Sequence, residues 1–458
     1  MQLNDQQEEA LAALLDFATN GVNARPFIFT GLAGTGKTTV VSRLILALED
    51  SGAYTTDRIA VVAYTGKAAS VLNRKLVAAG TTVRAKTVHS LIYTMPYDAA
   101  DTLHRKLDEL EAAIGSTDDP ARLIQLRDER HTIMNRLEML SSKNSLRFER
   151  RDPEEVRSKV GIIIVDEASM IDPAIAADLA EIGVPTIYVG DSNQLPPVMK
   201  PFGVNLHKPD AKLTQIMRQQ GDSGIIPYAH AILQNKTLPT GGEYDGVARN
   251  KSTNPLLFIG PDGKLPQYIT AFNKTRHGIN RTIRNHVLKV PGKEYLPVPG
   301  EFVMVDNNRP EKRLMKGDLL EVLEIKFEMD ENFGSSQKTD SVSDKLKAYT
   351  TETSKYRAVA RLRDQYGEET KEVLFLNDLM CSMNHPDALD QHDDKRKFAN
   401  ESREALAVMY PYAITCYKAQ GSEWDKVVVV NEKPKDIYLP FIYTAVTRAR
   451  SELIVVGG

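Results

Sequence analysis

The 458-residue sequence predicts an α/β protein with two parallel-sheet domains, each broken by an insertion. Three observations carry that reading. Short apolar runs at residues 27–29, 59–62, 162–165 and 186–189 are separated mostly by helix-like stretches, as expected of parallel strands covered on both faces. A second set at 268–272, 412–415, 427–430 and 453–456 repeats the pattern and closes another such domain at the C-terminus. The length, at about 150 residues per domain, leaves room for roughly three domains. With 42% hydrophobic and 26% charged residues the composition is that of an ordinary globular protein, which excludes disorder, collagen and small stapled scaffolds.

Taken in order, the first domain is expected over residues 1–92 and 150–205, with an insertion at 93–149. Within it Leu103, Leu107, Leu110 and Ile114 recur at helical spacing, as do Leu123, Leu126, Ile133, Leu137 and Leu140. Asp119 is suited to cap the second run and Pro120 to open it, so an antiparallel helical hairpin is expected. Its flanks, Ile92-Tyr93 and Leu146-Arg147-Phe148, are expected to pair as short strands. A solvated decoration and a direct role remain open for this segment. The second domain covers 206–300 and 408–458, with an insertion at 301–407. That insertion holds strand-like pieces at 302–305, 319–327, 357–363 and 372–376 and a turn at Tyr366-Gly367, most economically a small β-barrel. Residues 331–343 read as a polar loop, and the His and Asp residues of 385–397 as a charged loop without metal-ligand spacing.

No apolar run approaches the ~18 residues of a membrane helix, and the start Met1-Gln2-Leu3-Asn4-Asp5-Gln6 lacks signal-peptide character, so a cytoplasmic location is expected. The two cysteines, Cys381 and Cys416, are too few for a disulfide framework and fit a reducing compartment. Fifty-eight Lys and Arg against 61 Asp and Glu give a net charge of −3, so binding to a polyanion requires a local groove.

The chemistry begins at Gly31-Leu32-Ala33-Gly34-Thr35-Gly36-Lys37-Thr38, a phosphate-loop motif directly after a predicted strand and before the apolar-periodic run 40–48. Its glycines let backbone N–H groups turn toward phosphate oxygens, Lys37 is placed for the β and γ phosphates, and the Thr38 hydroxyl for Mg²⁺. Asp166-Glu167 follows the strand at 162–165, where an acid can anchor Mg²⁺ and its neighbour can activate water. Together these residues predict NTP hydrolysis.

A phosphate loop alone leaves kinases, GTPases, transporters and motors open. Further motifs follow in order: Gly190-Asp191-Ser192-Asn193-Gln194-Leu195-Pro196-Pro197-Val198, Leu213-Thr214-Gln215-Ile216-Met217-Arg218-Gln219, Ala413-Ile414-Thr415-Cys416-Tyr417-Lys418-Ala419-Gln420-Gly421-Ser422 and Tyr443-Thr444-Ala445-Val446-Thr447-Arg448-Ala449-Arg450. This succession resembles superfamily 1B helicases of the RecD-like, Dda-like group, in its compactness the phage-encoded forms. The resemblance is specific across both α/β domains and weak across the insertions. It implies two RecA-like P-loop motor domains, with a helical-hairpin or β-pin insertion in the first and an SH3-like β-barrel insertion in the second.

The resemblance also implies roles. Gln7 would read adenine, and Gly31, Gly34, Thr35, Gly36, Lys37, Thr38 and Thr39 would bind ATP, with Thr38 and Asp166 on Mg²⁺. Glu167 would activate water, Gln194 would sense the γ-phosphate, and Arg218 and Arg448 would be arginine fingers from the second domain. Such fingers contribute about 10³ to 10⁵ in rate. Strand-holding groups would be Thr65, Lys67, Thr87, His89, Thr415, Tyr417 and Lys418. Asn273 and Arg276 resemble a segment that couples domains, though a solvated helix start looks the same.

The implied function is ATP-dependent translocation on single-stranded DNA, 5′ to 3′, with unwinding at single-strand/duplex junctions by a monomer. Replication or recombination proteins are possible partners. A superfamily 1 RNA helicase and an ATP-gated DNA-remodelling module are the competing readings. Tyr64 stands where relatives usually have Pro, Tyr417 where they usually have His, and Val198-Met199-Lys200-Pro201 replaces a glycine-containing continuation.

Overall fold

The computed structural model describes residues 3–20, 25–94, 149–217, 224–239, 242–290, 297–306, 316–329, 356–364, 367–376 and 406–457, and the isolated positions 110, 114, 122, 126, 130, 133, 134 and 314. Most of the expected helical hairpin, the polar loop 331–343 and the charged loop 385–397 of the second insertion, and Arg218 lie outside the described residues.

The first half contributes strands β1 (Phe27–Gly31), β2 (Ile59–Ala63), β3 (Ala85–Thr87), β4 (Tyr93–Thr94), β5 (Glu149–Arg150), β6 (Ile162–Asp166), β7 (Thr186–Gly190) and β8 (Ala211–Leu213). Six of them form one sheet in the order β3-β2-β6-β7-β1-β8, every pair parallel. The alternation of side chains explains why these strands are apolar throughout. Phe29, Val61, Ile164 and Ile187 pack under the helices Asp5–Asn20, Lys37–Asp50 and Gly66–Ala79, while Ile28, Val62, Ile163 and Tyr188 pack on the opposite face with helices such as Pro173–Ile182. Each such buried side chain contributes about 1.5–3 kcal/mol. Two Asp-Pro pairs start helices as their chemistry dictates, Asp152 accepting from the Glu154 N–H and Asp172 from the Ile175 N–H.

Strand β8 corrects the expected boundary at residue 205. It pairs with β1, Phe29 against Ala211, so the first domain continues to Leu213. Three residues of Ala-Lys-Leu are too short to announce a strand by periodicity. At the base of the first insertion Tyr93 pairs with Arg150 and Thr94 with Glu149, while the expected strand residues 146–148 lie outside the described residues.

The second half contributes β9 (Val247–Asn250), β10 (Gln267–Thr270), β11 (Phe302–Val305), β12 (Leu319–Met329), β13 (Tyr356–Arg363), β14 (Glu369–Leu376), β15 (Leu406–Met409), β16 (Ala413–Thr415), β17 (Trp424–Val430) and β18 (Ala449–Val456). A second parallel sheet runs β16-β10-β17-β18-β9. Strand β9, polar on its exposed face, was not legible beforehand. Strands β11 to β15 close into a barrel, filled by Val303, Val305, Leu320, Val322, Ala360, Leu362 and Val408 among others. Its last strand ends at Met409, two residues past the expected limit of the insertion.

The barrel is fastened where it joins the second sheet. Arg284, on the helix Asn273–His286, makes two 2.8 Å bonds to Glu301 at the barrel's entry and lies 4.2 Å from the ring centroid of Tyr410 at its exit. Glu301 also accepts from the Val298 N–H at 2.8 Å. One buried ion pair thus ties both connecting strands to one helix.

Candidate active site

In open parallel sheets ligands bind beyond the carboxyl ends of the strands. The predicted site residues of the first domain fall there: the phosphate loop after β1, Thr65 after β2, Thr87 at the end of β3, Asp166-Glu167 at the end of β6, and Asp191 to Gln194 after β7. The phosphate loop leads into the helix Lys37–Asp50, with Gly34 and Gly36 at φ 78° and 85°, a region in which a side chain is strained. Space adds a second constraint, since a Cβ at Gly36 would lie 2.4 Å from the Gln7 amide nitrogen. Thr38 and Thr39 sit half-buried in the helix's first turn, and the Thr35 hydroxyl donates to the Leu32 carbonyl at 2.8 Å.

Lys37 is folded back on its own loop, Nζ bonding the carbonyls of Gly31 at 2.6 Å and Leu32 at 3.1 Å. Gln7 is buried and donates through Nε2 to the Thr35 carbonyl at 3.1 Å, while its N–H donates to Asn4 Oδ1. It therefore holds the phosphate loop. Burial and the adjacent Glu167 carboxylate raise the proton affinity of Asp166 well above the usual carboxylate range, against the opposing pull of Lys37 and Lys75. Glu167 adopts a left-handed backbone, φ 53° and ψ 43°, a conformation disfavoured outside glycine and one that turns the chain sharply at the strand end. Thr30 Oγ1, Ser169 Oγ and Gln194 Oε1 are buried without a hydrogen-bond partner, and all three stand at or just beyond the ends of β1, β6 and β7. Orphaned polar atoms so placed mark where a polar ligand would be received.

The second domain closes directly on this loop. The Tyr443 hydroxyl, on the helix Tyr438–Val446, accepts from the Ala33 N–H at 2.8 Å and donates to Asp191 Oδ2 at 2.7 Å. Next to it, Thr444 Oγ1 accepts from the Leu195 N–H at 3.0 Å, and Gln420 Nε2 donates to the Leu195 carbonyl at 3.1 Å. His230 Nε2 lies 3.1 Å from the Ala33 carbonyl, and because that oxygen only accepts, Nε2 carries the proton. Burial pushes the His230 imidazole down, outweighing the Ala33 bond and Asp191, which raise it.

Arg448 follows the same helix and is buried, its Nε donating to the Thr444 carbonyl at 3.0 Å and a terminal nitrogen to Thr447 Oγ1 at 3.0 Å. The segment 213–217, expected in the second domain, leads toward Arg218, which itself lies outside the described residues. It runs along the first domain: the Thr214 and Gln215 N–H groups donate to Gln6 Oε1, and the Met217 N–H to the Gly34 carbonyl at 3.0 Å. That path follows from β8 belonging to the first sheet.

Three of the expected strand-holding residues are helix caps. Thr65 accepts from the Ala68 N–H, Thr87 from the Ser90 N–H, and Thr415 precedes the short helix Cys416–Ala419. His89 lies between the rings of Tyr64 and Tyr93, at 5.4 and 5.9 Å, and burial holds its imidazole below the ordinary value. Tyr417 is half-buried against the second core. The two lysines are engaged in the fold. Lys67 places Nζ 5.0 Å from the ring centroid of Trp424 across the seam, and Lys418 pairs with Asp306 of the barrel. Burial lowers the proton affinity of both. Gly421 packs against Ala68 and Thr65, so the start of the helix Gly66–Ala79 in one domain and the turn after the short helix Cys416–Ala419 in the other meet here.

Residue-level reading missed Tyr443, Thr444, Asp191 and Gln420 as functional, although each stands inside a motif already singled out. His230 lies in no such motif, and only the fold brings it to Ala33.

Comparison with known proteins finds similarity in both sheet domains. A family model described as an AAA domain matches residues 16–200, and one described as a UvrD-like helicase C-terminal domain matches residues 410–456. The ATP-dependent RecD2 DNA helicase of Deinococcus radiodurans is 25% identical over 323 residues, covering 65% of this chain and 36% of that protein. The chain is similar to RecD-like DNA helicases in sequence. The RecBCD enzyme subunit RecD of Mycobacterium tuberculosis is 32% identical over 175 residues, covering 37% of this chain and 24% of that subunit. The chain thus spans well under two thirds of these RecD-like relatives. Among solved structures, the Pif1 helicase of Candida albicans aligns with a TM-score of 0.46 at 18% identity, over 100% of this chain and 95% of that one. No described helix is long and apolar enough to cross a membrane.

Proposed function

We propose that this chain is an ATP-dependent DNA helicase that translocates 5′ to 3′ on single-stranded DNA and separates strands at single-strand/duplex junctions. The observation that carries the reading is the seam itself: the phosphate loop of one parallel sheet lies against Tyr443, Thr444 and His230 of another. Hydrolysis at such a seam is linked to relative motion of the two domains, because any change at the loop alters bonds to both.

In this reading ATP enters over Gly34 to Thr39, and Lys37 leaves the Gly31 and Leu32 carbonyls to meet the β and γ phosphates. Thr38 and Asp166 fit a Mg²⁺ ion, since Asp166 is a buried carboxylate beside a second one and a bound cation would offset that repulsion. Bound there, Mg²⁺ would neutralise charge on the β and γ oxygens. Glu167, at the sharp left-handed turn after β6, takes the proton of the attacking water. Gln194, whose buried Oε1 has no partner, orients that water or the γ-phosphate. Arg448 must exchange its Thr444 and Thr447 contacts for the phosphate, and Arg218 acts from the segment after Met217. Gln7 serves adenine recognition by way of its hold on the loop.

Thr65, Thr87 and Thr415 at helix starts, with Tyr64, His89 and Tyr417 nearby, offer hydroxyls, amides and rings suited to phosphate, sugar and base contact. Lys67 and Lys418 join once Trp424 and Asp306 release them. In this reading the paired strands β4 and β5 root the pin, and the closed barrel of β11 to β15 serves as an SH3-like clamp.

The test is unwinding of otherwise identical duplexes with a 5′ or a 3′ single-stranded tail. Strand separation confined to 5′-tailed duplex supports the reading. Stimulation of hydrolysis by RNA alone would favour an RNA helicase, and stimulation by DNA without strand separation would favour a remodelling module.

A further inference from the structure

We infer that Tyr443 and His230 are positioning residues through which the second domain sets the conformation of the phosphate loop, by holding both ends of the single residue Ala33. The inference rests on the ATPase reading above and deepens it. Tyr443 takes the Ala33 N–H and His230 faces the Ala33 carbonyl, so the loop is gripped on two sides by side chains that arrive on different helices, Tyr438–Val446 and Ile225–Asn235. Ile226 adds a steric stop, its Cγ2 lying 2.9 Å from where a Cβ of Gly34 would stand.

The hydroxyl of Tyr443 has one proton, and the Ala33 N–H cannot accept it, so that proton goes to Asp191. Burial and the Asp191 charge raise the phenol's pKa and keep the group protonated. Asp191 in turn accepts from the Asn193 N–H at 3.0 Å and from its side-chain amide at 3.2 Å, which shapes the turn that presents Gln194. A single buried hydroxyl therefore joins the phosphate loop to the turn after β7.

The same helix is tied to the nucleic-acid side of the molecule. Cys416 Sγ, in the short helix after Thr415, donates to the Phe441 carbonyl at 3.6 Å, two residues before Tyr443. A strand gripping Thr415, Tyr417 and Lys418 would press on the element that holds Ala33. Motion of that element shifts Tyr443, Thr444 and Arg448 together, because the first two are adjacent in one helix and Arg448 follows directly after its end. The connection is a contiguous set of bonds and packed elements of the kind that can carry coupling between sites.

Two measurements test this on the full chain. The first is amide hydrogen exchange of the phosphate-loop peptide, residues 31–38, in nucleotide-free protein. Tyr443→Phe removes only the hydroxyl, and exchange at Ala33 is expected to accelerate about tenfold, as for loss of one hydrogen bond. Unchanged exchange overturns the inference, whatever the protein's activity. The second is the ratio of hydrolysis with single-stranded DNA to hydrolysis without it, which is expected to fall about tenfold in Tyr443→Phe, while the melting profile is kept. A ratio within twofold of wild type, including equal loss of both rates, overturns it. Should Tyr443→Phe fold poorly, His230→Leu is read the same way, and His230→Gln, which restores a donor, is expected to recover most of the ratio. Absence of ATP hydrolysis by the wild-type chain would refute the ATPase reading and leave the exchange measurement to decide this inference.

Discussion

Replacing Arg284 with Met should loosen the barrel from the second domain, and the structure sets the size of the effect. The guanidinium and the Glu301 carboxylate are 7% and 2% exposed and share two 2.8 Å bonds. With the arginine gone, Glu301 retains the Val298 N–H and a 3.5 Å contact from the Tyr412 hydroxyl, too little to stabilise a buried charge. Removing one partner of such a pair costs about 3–5 kcal/mol. The companion variant Arg284→Met with Glu301→Leu removes the stranded charge as well and leaves mainly the lost Val298 bond, about 1 kcal/mol. Because a multi-domain chain has no single unfolding free energy, the assay is native-state amide exchange resolved by strand. The single variant should lower the opening free energy of Val305, Leu320 and Val322 by the larger amount, while Ile164 and Val189 of the first sheet keep theirs. A single variant costing under about 1 kcal/mol, or a double variant worse than the single, would refute the reasoning.

Glu167→Gln should retain nucleotide affinity within about threefold yet lose at least a hundredfold in hydrolysis, the contribution expected of a general base; substantial residual turnover would remove Glu167 from that role. Lys67→Ala should change the emission of Trp424, the chain's one tryptophan, and destabilise the seam by about 0.5–1 kcal/mol; identical emission in both proteins would mean the contact does not persist in solution. The pH dependence of the seam follows from His230, which burial holds below the ordinary imidazole value of about 6.5. A depressed value in the folded state makes its contribution fully present above that pH and lost as pH falls through the lowered value. Thermal stability should therefore decline on acidification below about pH 6.5, and less steeply in His230→Gln. Equal slopes would exclude His230 as the titrating group.

The sequence by itself determined what is local or chemically over-constrained. Apolar runs announced strands because parallel strands are buried on both faces. The phosphate loop was legible because its glycines are needed for left-handed backbone at Gly34 and Gly36. Four of the five barrel strands were visible as well; the fifth, β15, and the edge strands β3, β8 and β9 were too short or too polar to show a period.

Tertiary structure decided everything that depends on two distant segments meeting. Nothing in the spacing of residues 33, 191, 230 and 443 foretells that one hydroxyl and one imidazole hold the two ends of a single loop residue, nor that Lys67 and Lys418 lie against Trp424 and Asp306. Patterns along a chain report which face of an element is buried. Which side chain answers which polar group across a seam depends on how whole sheets are brought together, and that is set by packing over hundreds of residues.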